Sequence, residues 1–249
     1  MKLFITLLLP LSLFAGEKNF PSWYYEISTS KEKKSAFFKV LVPIVKESQE
    51  RIREERFFIK SFFKDLKDET VKSEDLEKIS KLAKRYRIKN IYDKKNFLKR
   101  VCAIPTSLVL AQAAMESGWG SSRFVKEANN IFGHWTYGEK GLIPSQRGDG
   151  KTHKIRIFDS LEDSVTAYML NLNRHGAYEE FRNLRHLSIK SKNYFGGFEA
   201  SDTMTQYSAM GAEYCTQLKN IITQNNLLRY DEDHKGHYID FLLSNINAK

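Results

Sequence analysis

One apolar segment constrains the fold more than any other part of the chain. It reads Pro105-Thr106-Ser107-Leu108-Val109-Leu110-Ala111-Gln112-Ala113-Ala114-Met115-Glu116. Proline is favoured in the first turn of a helix, and the residues after it are small or apolar on nearly every face, which is typical of a fully buried helix. Ser117-Gly118-Trp119-Gly120 follows, and glycine commonly ends helices. The sequence therefore predicts a buried central helix that ends at Glu116.

Glu116 stands at the end of this helix, where an ionised carboxylate is disfavoured twice. Burial penalises the charged form, and the C-terminal end of a helix carries a partial negative charge. Both effects raise the pKa of a glutamate. A raised pKa is what the general acid of a glycosidase needs in order to hold a proton near neutral pH. The alternative interpretation is that Glu116 only pairs with a basic side chain such as Arg123.

Helices are also predicted on both sides of this segment. Apolar residues recur at helical spacing from about residue 31 to 65, where Pro43 predicts a kink or a new helix start. Ser73 is expected to cap a helix that runs to about Tyr86. Residues 16–86 thus form an N-terminal helical extension in which no pattern indicates chemistry. Later helices are expected from about Asp159, and over about 178–190, 198–207 and 211–226.

Residues 134–158 differ in character from these helices. Glycine and polar residues are frequent there, and His153 to Phe158 alternates between polar and apolar side chains. This pattern predicts a β-hairpin or a small sheet.

The N-terminal residues and the net charge indicate the compartment in which the protein acts. Met1-Lys2 precedes an apolar run from Leu3 to Ala15, which predicts a secretory signal peptide over residues 1–15. An uncleaved anchor or a buried helix is the alternative, although the run is short for a membrane span. We therefore expect an exported protein, periplasmic or associated with the cell envelope. The net charge of +10 then favours peripheral contact with anionic wall polymers or a membrane surface over nucleic acid, or serves solubility alone.

The chain has two cysteines, Cys102 and Cys215, which either form a disulfide or remain buried thiols. The six histidines are scattered. His234 and His237 lie close together without matching carboxylates, so we expect no metal and no other cofactor.

The central helix and the residues after it resemble the glucosaminidase domain of glycoside hydrolase family 73, and are most similar to its Bax-type branch of endo-β-N-acetylglucosaminidase-like proteins. The matching motifs are the Ala-Gln-Ala-Ala-x-Glu-Ser-x-Trp-Gly-x-Ser-Arg-Phe run at 111–124, Asn130-Ile131-Phe132-Gly133, Phe158-Asp159-Ser160, Tyr168-Met169-x-Asn171-Leu172-Asn173, and Tyr207-Ser208 followed by Gly211-x-x-Tyr214. The resemblance covers about residues 87–228. It implies a mainly α fold: a lysozyme-like helical domain over 87–249 with a small β-hairpin lobe, preceded by the extension over 16–86.

The resemblance also implies that Glu116 is the catalytic acid. A glycosidase commonly needs a second carboxylate, about 5–5.5 Å away in retaining enzymes and about 6.5–9.5 Å away in inverting ones. The candidates on the hairpin are Glu139 and Asp149, either of which is equally an ordinary turn residue. The N-acetyl group of the substrate is an alternative nucleophile, and Tyr214, the recurrent tyrosine of the family, would then orient it with Tyr207 nearby.

Several residues around this centre are candidates for substrate binding. Phe132 and Gly133 are expected at the floor of a cleft, and Trp135 and Tyr137 are suited to stacking on sugar rings. Tyr207 is a further candidate. Asn130, with Asn129, either binds N-acetyl groups or shapes the turn. For Trp119 we expect a packing role.

The resemblance implies hydrolysis of peptidoglycan glycan strands at the β-1,4 bond after N-acetylglucosamine, by a monomer without a cofactor. A muramidase or lytic transglycosylase on a related fold is the first alternative. Such enzymes usually follow the helix-terminal Glu-Ser with Gly-Leu-Met-Gln, where this chain has Asn130-Ile131-Phe132-Gly133. A non-catalytic protein that binds the cell wall is the second alternative.

Overall fold

The computed structural model describes residues 18–144, 150, 152–191 and 193–231. The predicted signal peptide, Asp149 and the histidine pair His234 and His237 lie outside the described residues. The described helices are α1 (Ser22–Glu26), α2 (Ser30–Lys67), α3 (Ser73–Arg85), α4 (Lys94–Arg100), α5 (Thr106–Ser117), α6 (Arg123–Ala128), α7 (Leu161–Arg174), α8 (Glu179–Lys190), α9 (Gly197–Ser201) and α10 (Ala212–Gln224), with 3₁₀ turns at Gly176–Tyr178 and Leu227–Asp231.

The predicted mainly α, lysozyme-like class with a small β-hairpin lobe is confirmed. Two short antiparallel strands, β1 (Trp135–Thr136) and β2 (Lys154–Ile155), pair with Trp135 opposite Ile155. One isolated bridge joins Leu142 to Ile155. Across the described part of the chain, none of the helices combines the length and the apolar character needed to cross a membrane.

Several local predictions were wrong. No new helix starts at Pro43: α2 continues through it, because buried side chains on both sides, such as Leu41 and Val45, hold one apolar stripe against the core. Ser73 is the first residue of α3 rather than its cap, since Lys72 occupies the cap position without a side-chain hydrogen bond. The helix expected over 198–207 ends at Ser201, because turns follow and the hydroxyl of Thr203 donates to the carbonyl of Ala200 at 2.7 Å.

Helix α5 is the centre of the fold. Every side chain from Ser107 to Ala114 is completely buried, and α2, α9 and α10 pack around it. Helix α9 approaches so closely that a Cβ on Gly197 would lie 2.0 Å from the hydroxyl oxygen of Ser107. Cys102 and Cys215 are both buried free thiols, so the structure favours buried thiols over a disulfide.

A buried carboxylate fixes the start of α5. Asp231 is completely buried and accepts from the Ser107 amide at 2.8 Å and the Ser107 hydroxyl at 2.6 Å. The Gly197 amide and the Tyr194 hydroxyl donate to the same carboxylate at 3.1 and 3.0 Å. The positive end of the helix dipole also favours an anion at this position. Asp231 therefore ties the last described turn to α5 and α9.

We expect Asp231→Ala to lower the free energy of unfolding by about 3 kcal/mol, because it leaves several buried donors without an acceptor. Urea denaturation followed by circular dichroism measures the change. Asp202→Ala is the control: it removes an exposed carboxylate that pairs with Lys219 at 2.6 Å, and such pairs contribute about 0–1 kcal/mol. Equal losses in the two variants would contradict the anchoring role of Asp231.

Candidate active site

Glu116 lies in the last turn of α5 and is half-buried. The helix ends in a left-handed residue, Gly118, at φ 54°, and its amide closes the last turn onto the carbonyls of Ala114 and Met115. Burial raises the pKa of Glu116 above its ordinary value, and a hydrogen bond from Tyr214 lowers it by less. The carboxyl group is therefore held where a proton stays bound at higher pH than on a free glutamate.

The hydrogen-bond partner of Glu116 is a tyrosine far away in sequence. The hydroxyl of Tyr214, on α10, donates to Glu116 Oε1 at 2.7 Å. Arg123 instead forms an ion pair with Glu127 at 3.0 Å. The alternative in which Glu116 only pairs with Arg123 therefore disagrees with the structure.

An aromatic wall lies beside this pair of residues. Tyr207 stacks on Tyr214 with ring centroids 5.5 Å apart, and Phe132 stacks on Tyr168 at 3.9 Å. The hydroxyl of Tyr207 donates to the carbonyl of Phe132 at 3.4 Å, which joins the two stacks. Burial and the nearby Glu116 carboxylate raise the pKa of Tyr178, next to Tyr207, to about 12. Burial also raises the pKa values of Tyr168, Tyr207 and Tyr214, so these tyrosines are neutral, and among them Tyr214 donates to the carboxyl group of Glu116.

The segment after α6 shapes the floor of the site. Asn130 is almost completely buried, its amide nitrogen donates to the carbonyls of His134 and Arg156, and its amide oxygen accepts from the His134 amide. The geometry therefore favours the turn-shaping role of Asn130 over sugar binding. Phe132 is buried beneath this turn, whereas Gly133 is exposed, has φ 69°, and has open space around its Cβ position.

The hairpin lobe presents aromatic side chains to solvent. Trp135 is 61% exposed and Tyr137 is 76% exposed. Trp135 stacks on His153 at 4.3 Å, which holds its ring in place. Glu139 is exposed in the turn after β1, where its backbone carbonyl accepts from Lys154 Nζ at 2.6 Å. The two exposed rings have the form of a sugar-stacking surface.

A groove that the sequence did not indicate lies between α5 and α10. It has a volume of about 340 Å³. Its lining is Ala114, Met115, Gly118, Trp119, Gln217, Asn220 and Ile221. Gln217 and Ile221 follow Tyr214 by three and seven positions on α10, a helical spacing that places them on one face with it. This spacing was the available sequence signal.

Trp119 connects the site to the N-terminal helices. Its ring meets the edges of Phe37 and Phe38 at 5.6 and 5.5 Å, and its carbonyl accepts from the hydroxyl of Tyr24. The amine of Lys34 lies 4.8 Å above the ring. The turn that carries Glu116 is therefore supported by α1 and α2, in agreement with the expected packing role of Trp119.

No cluster of three or more histidine, cysteine, aspartate or glutamate side chains that is suited to a metal ion occurs within the described ranges.

Comparisons with known proteins identify relatives of this chain. The glucosaminidase family profile, described as mannosyl-glycoprotein endo-beta-N-acetylglucosaminidase, matches residues 95–227. Protein bax of Escherichia coli is 31% identical over 79% of this chain and 71% of its own length. Peptidoglycan hydrolase FlgJ of Salmonella typhimurium is 28% identical over 34% of each chain. No solved structure matches the sequence. The chain belongs to the glucosaminidase family, glycoside hydrolase family 73.

Proposed function

We propose that this protein is an exported peptidoglycan hydrolase that cleaves the glycan strand at the β-1,4 bond after N-acetylglucosamine, with Glu116 as its general acid. The observation that carries the proposal is a half-buried carboxyl group with a raised pKa whose hydrogen-bond partner is the neutral Tyr214 rather than a cation. The similarity to peptidoglycan hydrolase FlgJ supports the substrate class. We further propose that residues 1–15 direct export.

The reaction follows from the two protonation states of Glu116. The protonated carboxyl group donates to the glycosidic oxygen as the carbon–oxygen bond breaks, and the bonding electrons leave with that oxygen. The carboxylate that results accepts a hydrogen bond from Tyr214, which is stronger to an ionised group than to a neutral one. Water then adds to the anomeric carbon and returns a proton to the site.

Exposed aromatic rings and the amide side chains of the groove are the surfaces that we propose for binding the glycan strand. Trp135 and Tyr137 lie on the hairpin, and Trp119, Gln217 and Asn220 line the groove between α5 and α10. Amide side chains and aromatic faces together are suited to N-acetylated sugars. We propose that the strand crosses Glu116 with the exposed Gly133 beneath it.

The N-acetyl group of the substrate is the second reacting group that we propose. Glu139 lies in an exposed turn, and Asp149 is the other candidate carboxylate. We expect Glu139→Gln and Asp149→Asn each to keep activity within about threefold of wild type, because neither supplies the nucleophile. Turbidity loss of purified sacculi measures this. A drop of about 10²-fold or more in one variant would identify that carboxylate as the second catalytic group instead.

The products distinguish the proposed bond from its alternatives. We expect mass spectrometry of digested sacculi to find new reducing ends on N-acetylglucosamine. Anhydro-muramic ends would identify a lytic transglycosylase, and reducing muramic ends a muramidase. A chain that binds sacculi without releasing fragments would support the non-catalytic alternative.

The pH dependence of cleavage follows from the raised pKa of Glu116. A general acid works in its protonated form, so the rate falls as pH rises through the pKa of that residue. We expect the alkaline limb of the kcat profile to lie above the ordinary glutamate pKa of about 4.3. Initial rates on solubilised glycan strands across the pH range measure it, and a limb at the ordinary value would contradict the assignment.

A further inference from the structure

Gln112 lies one turn before Glu116 on α5 and is completely buried. Its amide nitrogen, Nε2, donates to the hydroxyl oxygen of Tyr214 at 2.9 Å, and its amide oxygen, Oε1, accepts from the hydroxyl of Tyr168. Tyr214 in turn donates to Glu116 Oε1 at 2.7 Å. The four side chains therefore form one hydrogen-bonded chain that runs from the core to the carboxyl group.

The donor-to-acceptor direction of these hydrogen bonds is fixed at the buried end, at Tyr168. Tyr168 is 1% exposed, and within the described residues Gln112 is the hydrogen-bond partner of its hydroxyl. The hydroxyl hydrogen is satisfied only by an acceptor, so the amide of Gln112 must present its oxygen to Tyr168. The reversed amide would leave that hydrogen unpaired in the core, which is costly.

The orientation of the Gln112 amide then decides the direction in which the Tyr214 hydroxyl donates its hydrogen. Because Nε2 of Gln112 points at the hydroxyl oxygen of Tyr214, that oxygen is already an acceptor, and its hydrogen is directed at Glu116 Oε1. A proton on Oε1 would face this hydrogen directly. Glu116 Oε2 has no hydrogen-bond partner in the described part of the chain and is not among the buried atoms that lack one. Oε2 is therefore the oxygen that is left to carry a proton.

We propose that Gln112 is a positioning residue that acts through Tyr214 to confine the transferable proton of Glu116 to Oε2. The inference rests on the proposed function, in which Glu116 is the general acid. It adds a role for two side chains, Gln112 and Tyr168, that do not reach the substrate themselves. It also gives a reason for a polar amide among the apolar residues of α5.

The test uses the mature full-length chain with Gln112→Met, which keeps the length of the side chain but removes both hydrogen bonds. Tyr214 then bonds to Glu116 for less of the time. Since that hydrogen bond lowers the pKa of Glu116, we expect the pKa to rise. We expect kcat to fall roughly tenfold, because Tyr214 then stabilises less the carboxylate that forms as Glu116 gives up its proton, and KM to change little. NMR titration of ¹³C-labelled glutamate carboxyl groups, with the Glu116 signal assigned from Glu116→Gln, measures the first effect.

Gln49→Met is the matched control, because it makes the same change at another buried glutamine. Gln49 donates to the Ile104 carbonyl at 2.7 Å and to the Thr106 hydroxyl at 2.9 Å. We expect it to lower stability and to leave the Glu116 titration unchanged. A second variant, Tyr168→Phe, removes only the anchor of the amide and shifts the Glu116 titration in the same direction by less.

An unchanged Glu116 titration in folded Gln112→Met would overturn the positioning role. If that variant does not fold, Tyr168→Phe decides by the same criterion. The NMR readout needs no turnover, so a wild-type chain that cleaves no glycan would overturn the proposed function while the titration still reports on Gln112.

Discussion

Glu116→Gln is expected to lower the rate of glycan cleavage by about 10³-fold or more, which is the upper range of what a general acid contributes. The amide keeps the shape of the side chain and still accepts a hydrogen bond from Tyr214, but it has no proton to transfer. Sacculi clearing in a zymogram and product release followed by mass spectrometry measure the loss. Binding to sacculi should persist, because the exposed rings of Trp135 and Tyr137 are unchanged.

The matched control for this substitution is Glu127→Gln. It makes the same change at an exposed glutamate eleven residues further along, where the partner is Arg123 at 3.0 Å. We expect its activity to stay within about twofold of wild type, since exposed ion pairs contribute little. Activity that survives in Glu116→Gln, beside an active Glu127→Gln, would show that Glu116 is not the acid.

The same substitution has a consequence for stability with a defined sign. Burial raises the pKa of Glu116 in the folded protein above its unfolded value, so folding favours the protonated form. This contribution is complete below the unfolded pKa of about 4.3 and is lost as pH rises through the folded pKa. We therefore expect the difference in Tm, Glu116→Gln minus wild type, to be larger at pH 7 than at pH 4, as measured by differential scanning calorimetry.

Local patterns in the sequence predicted the central helix and its terminal carboxyl group. Helix α5 was predictable because most of its twelve residues are small or apolar, and because Gly118 supplies the left-handed residue that ends it. Gln112 was also within reach of sequence reasoning, since residues four apart on a helix share a face with one another. Its position among apolar residues is the reason that Gln112 was not singled out.

Long-range pairs were not predictable in this way. The bond between Tyr214 and Glu116 joins residues 98 positions apart, and that between Ser107 and Asp231 joins residues 124 apart. Nothing in a single sequence states which distant polar groups meet, because their pairing is decided by how the helices pack. For Tyr214 only the family resemblance supplied a reason to single it out. Asp231 had no such signal.

The N-terminal extension has a structural role that its sequence did not indicate. Helix α2 supports both ends of α5: Gln49 bonds to Ile104 and Thr106 at the start, and Phe37 and Phe38 pack on Trp119 after the end. The apolar core is one cluster that includes side chains of α2 together with those of α5 and α7. We therefore propose that residues 16–86 complete the catalytic domain rather than form a separate one.

A fragment that begins at residue 87 is expected not to fold. Helix α2 buries more than ten side chains, among them Phe37, Leu41, Ile59 and Phe62, and each apolar side chain of that size contributes about 1.5–3 kcal/mol when fully buried. For the nine large apolar side chains that α2 buries, this gives about 14–27 kcal/mol, which matches or exceeds the net stability of about 5–15 kcal/mol of a typical domain. Circular dichroism and urea denaturation of the fragment should show no cooperative transition.

The control keeps every contact and removes only the covalent connection. A protease site placed in the turn between α2 and α3, at residues 68–72, is cut after the whole chain has folded. The nicked protein should retain cooperative unfolding and cleavage of sacculi, because α2 stays packed on α5 and α7. If instead the fragment from residue 87 unfolds cooperatively within about 2 kcal/mol of the whole chain, the extension is dispensable. The turn after Glu116 would then be held in place without Phe37 and Phe38.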